Sequence, residues 1–494
     1  MKKPIALSLS IFLFLASRAQ VDLVKEINQV NTPSKGLAAL RFLASDELMG
    51  RATARPEIHV AARYIAESFR SSGLKEVPGT IDYFQNFDIR MAWPSNVGSL
   101  VVKGKNYELN KQLLEMSGKD VSITAPIVYV HHATEKDLSG LDLKGKIVLS
   151  DMGSSDNSTF MEGFFQGQAK RKAVQDKGAL AIVERFNQKE VPWDDLRTYL
   201  NTEHPILEEE SENLFPAILV NDQEDNLVSL IGTAEENATL NISGSRITQV
   251  PAKNVMAWIE GTDAALKKQF VVLTAHYDHL GVAKKPQMEE GKMDSIYNGA
   301  RDNAIGTTAV LDAARFFAEH PPRRSMLFIA YTGEEIGEVG SWYFSNHPLI
   351  PLKQIVFNLN IDNASYNDTT IISVIGLGRT SADADIQKAC RSYGLKAMPD
   401  PAPEQNLFDR SDNVNLAVKG IPAPCFSLGI KKFDDEINKR YHQLSDEVGN
   451  FNLRYAMKYI NSFILASKLI ADNPVQPTWV KGDKYEAAWK KLYQ

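Results

Sequence analysis

Apolar residues recur at two spacings along this chain, and the spacing changes with position. Between Pro56 and Ser72, Ile58, Ala61, Ala62, Ile65 and Phe69 fall three or four apart. That spacing lines one face of a helix, and Gly73 follows as its C-terminal cap. The whole stretch 36–72 reads as helical. From about residue 250 unbroken apolar runs alternate with helical stripes. Phe270–Ala275, Met326–Tyr331, Ile355–Ile361, Ile371–Ile375 and Ala423–Leu428 read as strands, and Ile305–His320, Val339–Asn346, Ala382–Tyr393 and Leu453–Ile470 as helices. Such alternation predicts an α/β fold with a mostly parallel sheet covered by helices on both faces. Ligand sites in these folds gather beyond the carboxyl ends of the strands.

A middle segment has a different texture. Ala125–Val130, Lys146–Leu149, Ala179–Val183 and Pro216–Val220 are strand-like, with a helical stretch at Gln168–Lys177. These pieces make a compact set of their own. Residues 120–245 are therefore expected to form an inserted domain, with residues 20–119 and 246–494 forming the main one. A length of 494 residues agrees with two domains, or one with a large insertion.

Composition narrows the possible functions. Hydrophobic residues make up 44% and charged residues 23%, the balance of an ordinary folded chain. A net charge of −6 argues against nucleic acid as the main partner, because phosphate binding needs a basic surface. Lys2 and Lys3 precede an apolar run from Ile5 to Ala16, and the small residues Ser17 and Ala19 follow. This is the pattern of a secretory signal cleaved after residue 19, which implies a periplasmic or secreted protein. The run is short against the roughly 20 residues of a membrane span. An uncleaved anchor is the other reading, and no later segment is apolar enough to span. Cys390 and Cys425 are the only cysteines, so any metal must rest on His, Asp and Glu.

Those residue types cluster at the predicted strand ends. The first strand leads into His276-Tyr277-Asp278. Residues two apart share a face, so the Asp278 carboxylate can orient the His276 imidazole, while His279 is expected to point the other way. Asp302 sits just before a helix, where it is either an N-cap or a carboxylate able to bridge two metals. Thr332-Gly333-Glu334-Glu335 follows the Met326–Tyr331 strand. Thr332 and Glu335 have capping-box spacing; alternatively one Glu binds a cation and its neighbour takes a proton from water. Asp362 closes the Ile355–Ile361 strand as a turn residue or a ligand. His442 lies in a loop before the last helix. Two histidines, three carboxylates and a spare Glu are about what two zinc ions need, with one carboxylate bridging. Two such metals clamp a hydroxide and polarise a carbonyl.

With these motifs the sequence resembles peptidase family 28 of the metallopeptidases, the co-catalytic di-zinc aminopeptidases. The resemblance runs from Leu43-Ala44-Ser45-Asp46-Glu47-Leu48-Met49-Gly50-Arg51, through the cluster from His276 to Asp362, to Gly420-Ile421-Pro422-Ala423 before His442. The insertion resembles a protease-associated domain, β-rich in that family. The resemblance implies a zinc-exopeptidase fold, two Zn2+ per chain and a peptide substrate. His276 and Asp362 would hold one zinc, Glu335 and His442 the other, with Asp302 bridging. Glu334 would be the general base, Asp278 the orienter of His276, and Tyr441 a helper at the oxyanion. The complete ligand set argues against a non-enzymatic receptor-like homologue and against a one-zinc glutaminyl cyclase. A glutamate carboxypeptidase would need basic residues for substrate carboxylates, for which Arg379 and Arg410 are the candidates. Two departures lie near the expected cleft. Ser411-Asp412-Asn413 stands where Ser-Asp-His is common, and Asn363-Ala364-Ser365 where an apolar residue and Gly are common.

Overall fold

The computed structural model describes residues 22–494 apart from 118–119, 157, 159, 189–190, 207–213, 225, 233–235 and 290. The expected signal, residues 1–19, lies outside the described residues. The chain divides into two compact units. One joins the residues up to Asp88 with Pro251–Gln494, and the other is Ile89–Val250.

In the first unit three strands are buried at every residue: Phe270–His276, Ser325–Tyr331 and Ile355–Ile361. Strands covered on both faces have no polar side to show, hence their unbroken apolar sequence. They lie parallel, with Phe270–His276 between the other two. Cys425–Ser427, Ile371–Ile375 and Lys396–Met398 continue the sheet on one side, Arg246–Ile259 and Phe84–Trp93 on the other. Ile371–Ile375 runs antiparallel to Cys425–Ser427, and Val255–Ile259 antiparallel to Met326–Ala330, so the sheet is mixed.

Alternate side chains of a strand reach opposite faces. On one face Val271, Leu273, Phe328 and Leu359 pack with Phe316 and Phe317 of the helix Ile305–Glu319 and Phe463 and Ile464 of Leu453–Asp472. On the other, Val272, Leu327, Ile329 and Tyr331 pack with Phe344 of Val339–Asn346 and Leu416 of Asn413–Ala417. Register does the positioning. His276 is paired with Tyr331, and Thr274 with Asn360. The three strands therefore finish at one level, and the residues just beyond them share one edge of the sheet.

Two expectations need correction. The stretch 36–72 is not one helical region. Helices Ala38–Leu43 and Glu57–Ser71 are separated by a turn over Asp46–Arg51 in which Met49 and Gly50 are left-handed. Gly50 has φ +68°, and a Cβ there would lie 2.2 Å from the Gly281 carbonyl oxygen. The break turns Arg51 inward, where it is 1% exposed. The second unit also starts earlier than residue 120. Val97–Val102, Lys105–Glu108 and Leu113–Ser117 belong to its sheet, together with Val121–Tyr129, Ile147–Asp151, Ala181–Phe186, Ala217–Asn221 and Glu236–Ser243. The early strands are short and partly exposed, so they carry little apolar signal. Leu100, Val102, Ile147, Val183, Ile218 and Leu240 form a core within that unit.

Phe328 is wholly buried, with Phe69 and Phe317 ring centroids 6.3 and 6.2 Å away. Phe328→Ala is expected to destabilise its unit by about 3–5 kcal/mol. Urea unfolding followed by intrinsic tryptophan fluorescence measures the loss.

Candidate metal centre

The edge formed by the three strand ends collects the acids and histidines. His276 is the last residue of its strand and 1% exposed. Its Nε2 lies 3.0 Å from Asp362 Oδ1, 3.3 Å from Asp302 Oδ1 and 4.0 Å from Glu334 Oε2. Asp302 offers its other oxygen to the second histidine, with Oδ2 3.1 Å from His442 Nε2. His442 Nε2 is also 3.2 Å from Glu335 Oε2. All five expected metal-binding residues thus come together, and the Asp302 carboxylate stands between two groups of donors.

The bland alternatives fail on local geometry. The helix cap before Ile305 is supplied by Asn303, whose Oδ1 accepts the Gly306 N–H at 3.1 Å, which leaves Asp302 free of that task. Thr332 and Glu335 form no capping box, because the helix begins only at Val339. Asp362 ends its strand with Oδ2 accepting from the Ser411 hydroxyl at 2.5 Å.

Asp278 works differently from expectation. Its Oδ1 is 3.7 Å from His276 Nδ1, too far for a hydrogen bond. The Asp278 backbone carbonyl accepts from that nitrogen instead, at 3.3 Å. The carboxylate takes the backbone N–H groups of Glu334 at 3.2 Å and Glu335 at 3.3 Å, and the Thr53 hydroxyl at 2.9 Å. Asp278 therefore orients His276 through its backbone and holds the Glu334-Glu335 turn through its side chain. His279 also departs from expectation. It is buried and turned into the centre, with Nδ1 2.6 Å from Glu335 Oε1. Strand alternation stops at His276, so it no longer dictates where His279 points.

Two buried arginines tie the loops together. Arg51 donates to the carbonyls of Tyr277 at 2.9 Å, Asn298 at 2.7 Å and Gly299 at 3.2 Å, and also to that of Leu43. It joins the His276 loop to the approach of Asp302, and burial pulls its pKa down to about 10. Arg301 pairs with Asp446 at 2.7 Å, while the other Asp446 oxygen accepts the N–H groups of Arg301 at 2.8 Å and Asp302 at 3.1 Å. This joins the Asp302 segment to the loop carrying His442. Neither role was readable in the sequence, although Arg51 closes a recognised motif.

Charge is concentrated here. Burial raises the pKa of Asp278. Burial also raises that of Glu334, well above the carboxylate norm, and Asp362, Glu335 and Asp412 push the same way. At Glu335 burial is overcome by the charge of His279 and hydrogen bonds from His279 and His442, which hold its pKa low. At His442 burial is outweighed by Asp302 and Glu335, and its pKa is carried up to about 10. The acids hold protons on His276 and His442. A cation among the donors satisfies the same field with neutral imidazoles, the form that binds metal.

By proximity alone His279, Asp302 and Glu335 form a possible metal group too, so His279 and His442 compete for the place beside Glu335. Distance separates them. Zinc bonds of 2.0–2.1 Å in a tetrahedron put ligand atoms about 3.3 Å apart. The pairs His276–Asp302, His276–Asp362, His442–Asp302 and His442–Glu335 measure 3.3, 3.0, 3.1 and 3.2 Å. At 2.6 Å, His279 and Glu335 are too close to share an ion and have the spacing of a charge-assisted hydrogen bond.

A cleft opens over the centre. Asp302, Glu334, Asp362 and His442 line it with Tyr441, Arg410, Ile375, Leu407 and Ile430. Arg379 takes no part. It pairs with Asp483 at 2.7 and 3.1 Å and lies over the Phe408 ring at 4.1 Å. Cys390 and Cys425 are both free and buried.

A centre of acids and histidines at strand ends, under a cleft, marks a site able to hold metal in a fold of the α/β class. Residues 254–465 match the model of peptidase family M28. This segment carries every expected metal-binding and catalytic residue, and with it the chain is a peptidase. It is 26% identical over 356 residues to aminopeptidase YwaD of Bacillus subtilis (strain 168), covering 71% of this chain and 68% of that one. The fold is similar to that of the aminopeptidase from Aneurinibacillus sp. strain AM-1, with a TM-score of 0.60 at 21% identity, over 92% of this chain and 97% of that one. It is also similar to BSAP, a zinc aminopeptidase from Bacillus subtilis, with a TM-score of 0.51 at 20% identity and the same coverage.

Arg51→Lys keeps a charge but cannot reach all four carbonyls. The carbonyls left unpaired are expected to cost about 2–4 kcal/mol. Thermal unfolding of the variant checks this.

Proposed function

We propose that this chain is an exported di-zinc aminopeptidase that removes residues from the amino end of peptides. One observation carries the reading: the two oxygens of Asp302 lie 3.3 Å from His276 and 3.1 Å from His442, one oxygen to each. His276 and Asp362 would hold one zinc, Glu335 and His442 the other, and Asp302 would be shared. Two dications at such a site polarise a peptide carbonyl and bring water towards its nucleophilic form at neutral pH. Glu334 is the spare carboxylate. It lines the cleft, and its backbone is held by Asp278 rather than by a side-chain partner of its own. It takes the proton of the attacking water and returns it to the leaving amine. Tyr441, stacked on His442 with ring centroids 4.1 Å apart, donates towards the developing oxyanion.

The few cationic groups of the cleft support action at the amino end, since Arg410 is the one arginine among its described lining residues. A carboxypeptidase reading loses Arg379, which is committed to Asp483. The similar proteins, an aminopeptidase and a zinc aminopeptidase, support the same reading. Export rests on the Lys2–Ala19 pattern, and among the described residues no helix is long and apolar enough to cross a membrane. We read the Ile89–Val250 unit as the protease-associated insertion; none of the proposed ligands lies in it.

Purified protein is expected to carry two zincs per chain by elemental analysis. A chelator should abolish cleavage of aminoacyl-nitroanilides, and zinc should restore it. Full activity with one tightly held zinc would favour the cyclase instead.

The neighbouring glutamates test the mechanism. Glu335→Gln should release or weaken one zinc. Glu334→Gln should keep both zincs and lower kcat by roughly 10²–10⁴ fold, with KM little changed. Steady-state kinetics beside metal content checks both, and a near-normal kcat in Glu334→Gln sinks the assignment.

A further inference from the structure

His279 contributes nothing to the reaction described so far, yet it is placed with unusual care. Its side chain is wholly buried. Its backbone N–H donates to the Arg51 carbonyl at 3.2 Å. Its ring lies against Gly299, where an added Cβ would come 2.5 Å from Cδ2, and its edge meets the His442 ring with centroids 5.9 Å apart. The ring can therefore neither swing out nor turn freely. Nδ1 is directed at Glu335 Oε1, while Nε2 is buried without a hydrogen-bond partner.

We propose that His279 is a positioning residue that donates from Nδ1 to Glu335 Oε1 and so presents only Oε2 to the metal. The proposal rests on the di-zinc reading above and extends it to a residue that binds no metal itself. A free carboxylate can offer either oxygen to a cation, or both. Here the two oxygens are divided: Oε1 belongs to His279 and Oε2 faces His442 at 3.2 Å. Holding Oε1 keeps Glu335 a one-oxygen ligand and leaves a coordination position for water or substrate, as a catalytic zinc requires. The donated hydrogen bond also fixes the plane of the carboxylate, the usual task of groups behind a metal ligand. Because the donor is Nδ1, the proposal specifies which ring nitrogen matters.

That specificity gives the test. The side-chain amide nitrogen of Asn occupies the place of Nδ1, and that of Gln the place of Nε2. We would prepare full-length His279→Asn, His279→Gln and His279→Leu, confirm folding of the zinc-free proteins by thermal unfolding, and titrate zinc against a chromogenic chelator. His279→Asn should bind both zincs with affinities within about threefold of the natural protein. His279→Gln and His279→Leu should weaken one zinc by roughly 10–100 fold and leave the other unchanged. Equal losses in all three would assign His279 to packing and overturn the proposal. So would unchanged affinity in Gln and Leu, or complete loss of one zinc in all three, the mark of a direct ligand. If Leu does not fold, the Asn and Gln pair still decides. A natural protein that binds fewer than two zincs overturns the underlying reading before any variant is compared, so the two failures are distinguishable.

Discussion

Five carboxylates, those of Asp278, Asp302, Glu334, Glu335 and Asp362, meet at one edge of a buried sheet, and much of the surrounding structure answers that concentration of charge. Removing such groups from water is costly unless each is paired or hydrogen-bonded. Asp278 is satisfied by two backbone N–H groups and Thr53, Asp362 by Ser411, and Glu335 by two histidines. At Glu334 burial outweighs the nearby His276 and the neighbouring acids add to it, so its pKa rises.

The sheet makes the crowding possible. Three parallel strands end at the same level because their register pairs His276 with Tyr331 and Thr274 with Asn360. Each strand then releases its chain into a loop, and each loop brings an acid or a histidine. Loops move more than strands, so precision has to come from elsewhere. Arg51 and Arg301 supply it. Each is a planar donor with several acceptors, Arg51 on three segments and Arg301 along the stretch 446–450, which a lysine cannot match. Arg51 gathers the carbonyl just past the first strand end and that of Asn298 ahead of Asp302, and Arg301 with Asp446 locks the His442 loop to Asp302.

The described part of the Ile89–Val250 unit has its own sheet and core and contributes none of the proposed ligands. The proposed ligands and Glu334 all lie in the unit built from the two ends of the chain. Within that unit the cleft combines carboxylates, one arginine and an apolar wall of Ile375, Leu407 and Ile430.

The sequence by itself determined the α/β alternation, the fully buried strands and the short list of acids and histidines at their ends. These are local properties: burial on both faces demands unbroken apolar runs, and a helix or strand writes its period into consecutive residues. Its failures were of two kinds. Short, half-exposed strands such as Lys105–Glu108 left no pattern, so the second unit was begun too late. Beyond a strand end the alternation rule lapses, so His279 was turned away from a centre it enters. Only the tertiary structure decided that Asp302 stands between two histidines while Asn303 caps the helix, that Asp278 holds the glutamate turn by its carboxylate, and that His279 and His442 divide the oxygens of Glu335. Each of these rests on distances between residues far apart in the chain, and no spacing along the sequence encodes a distance across the fold.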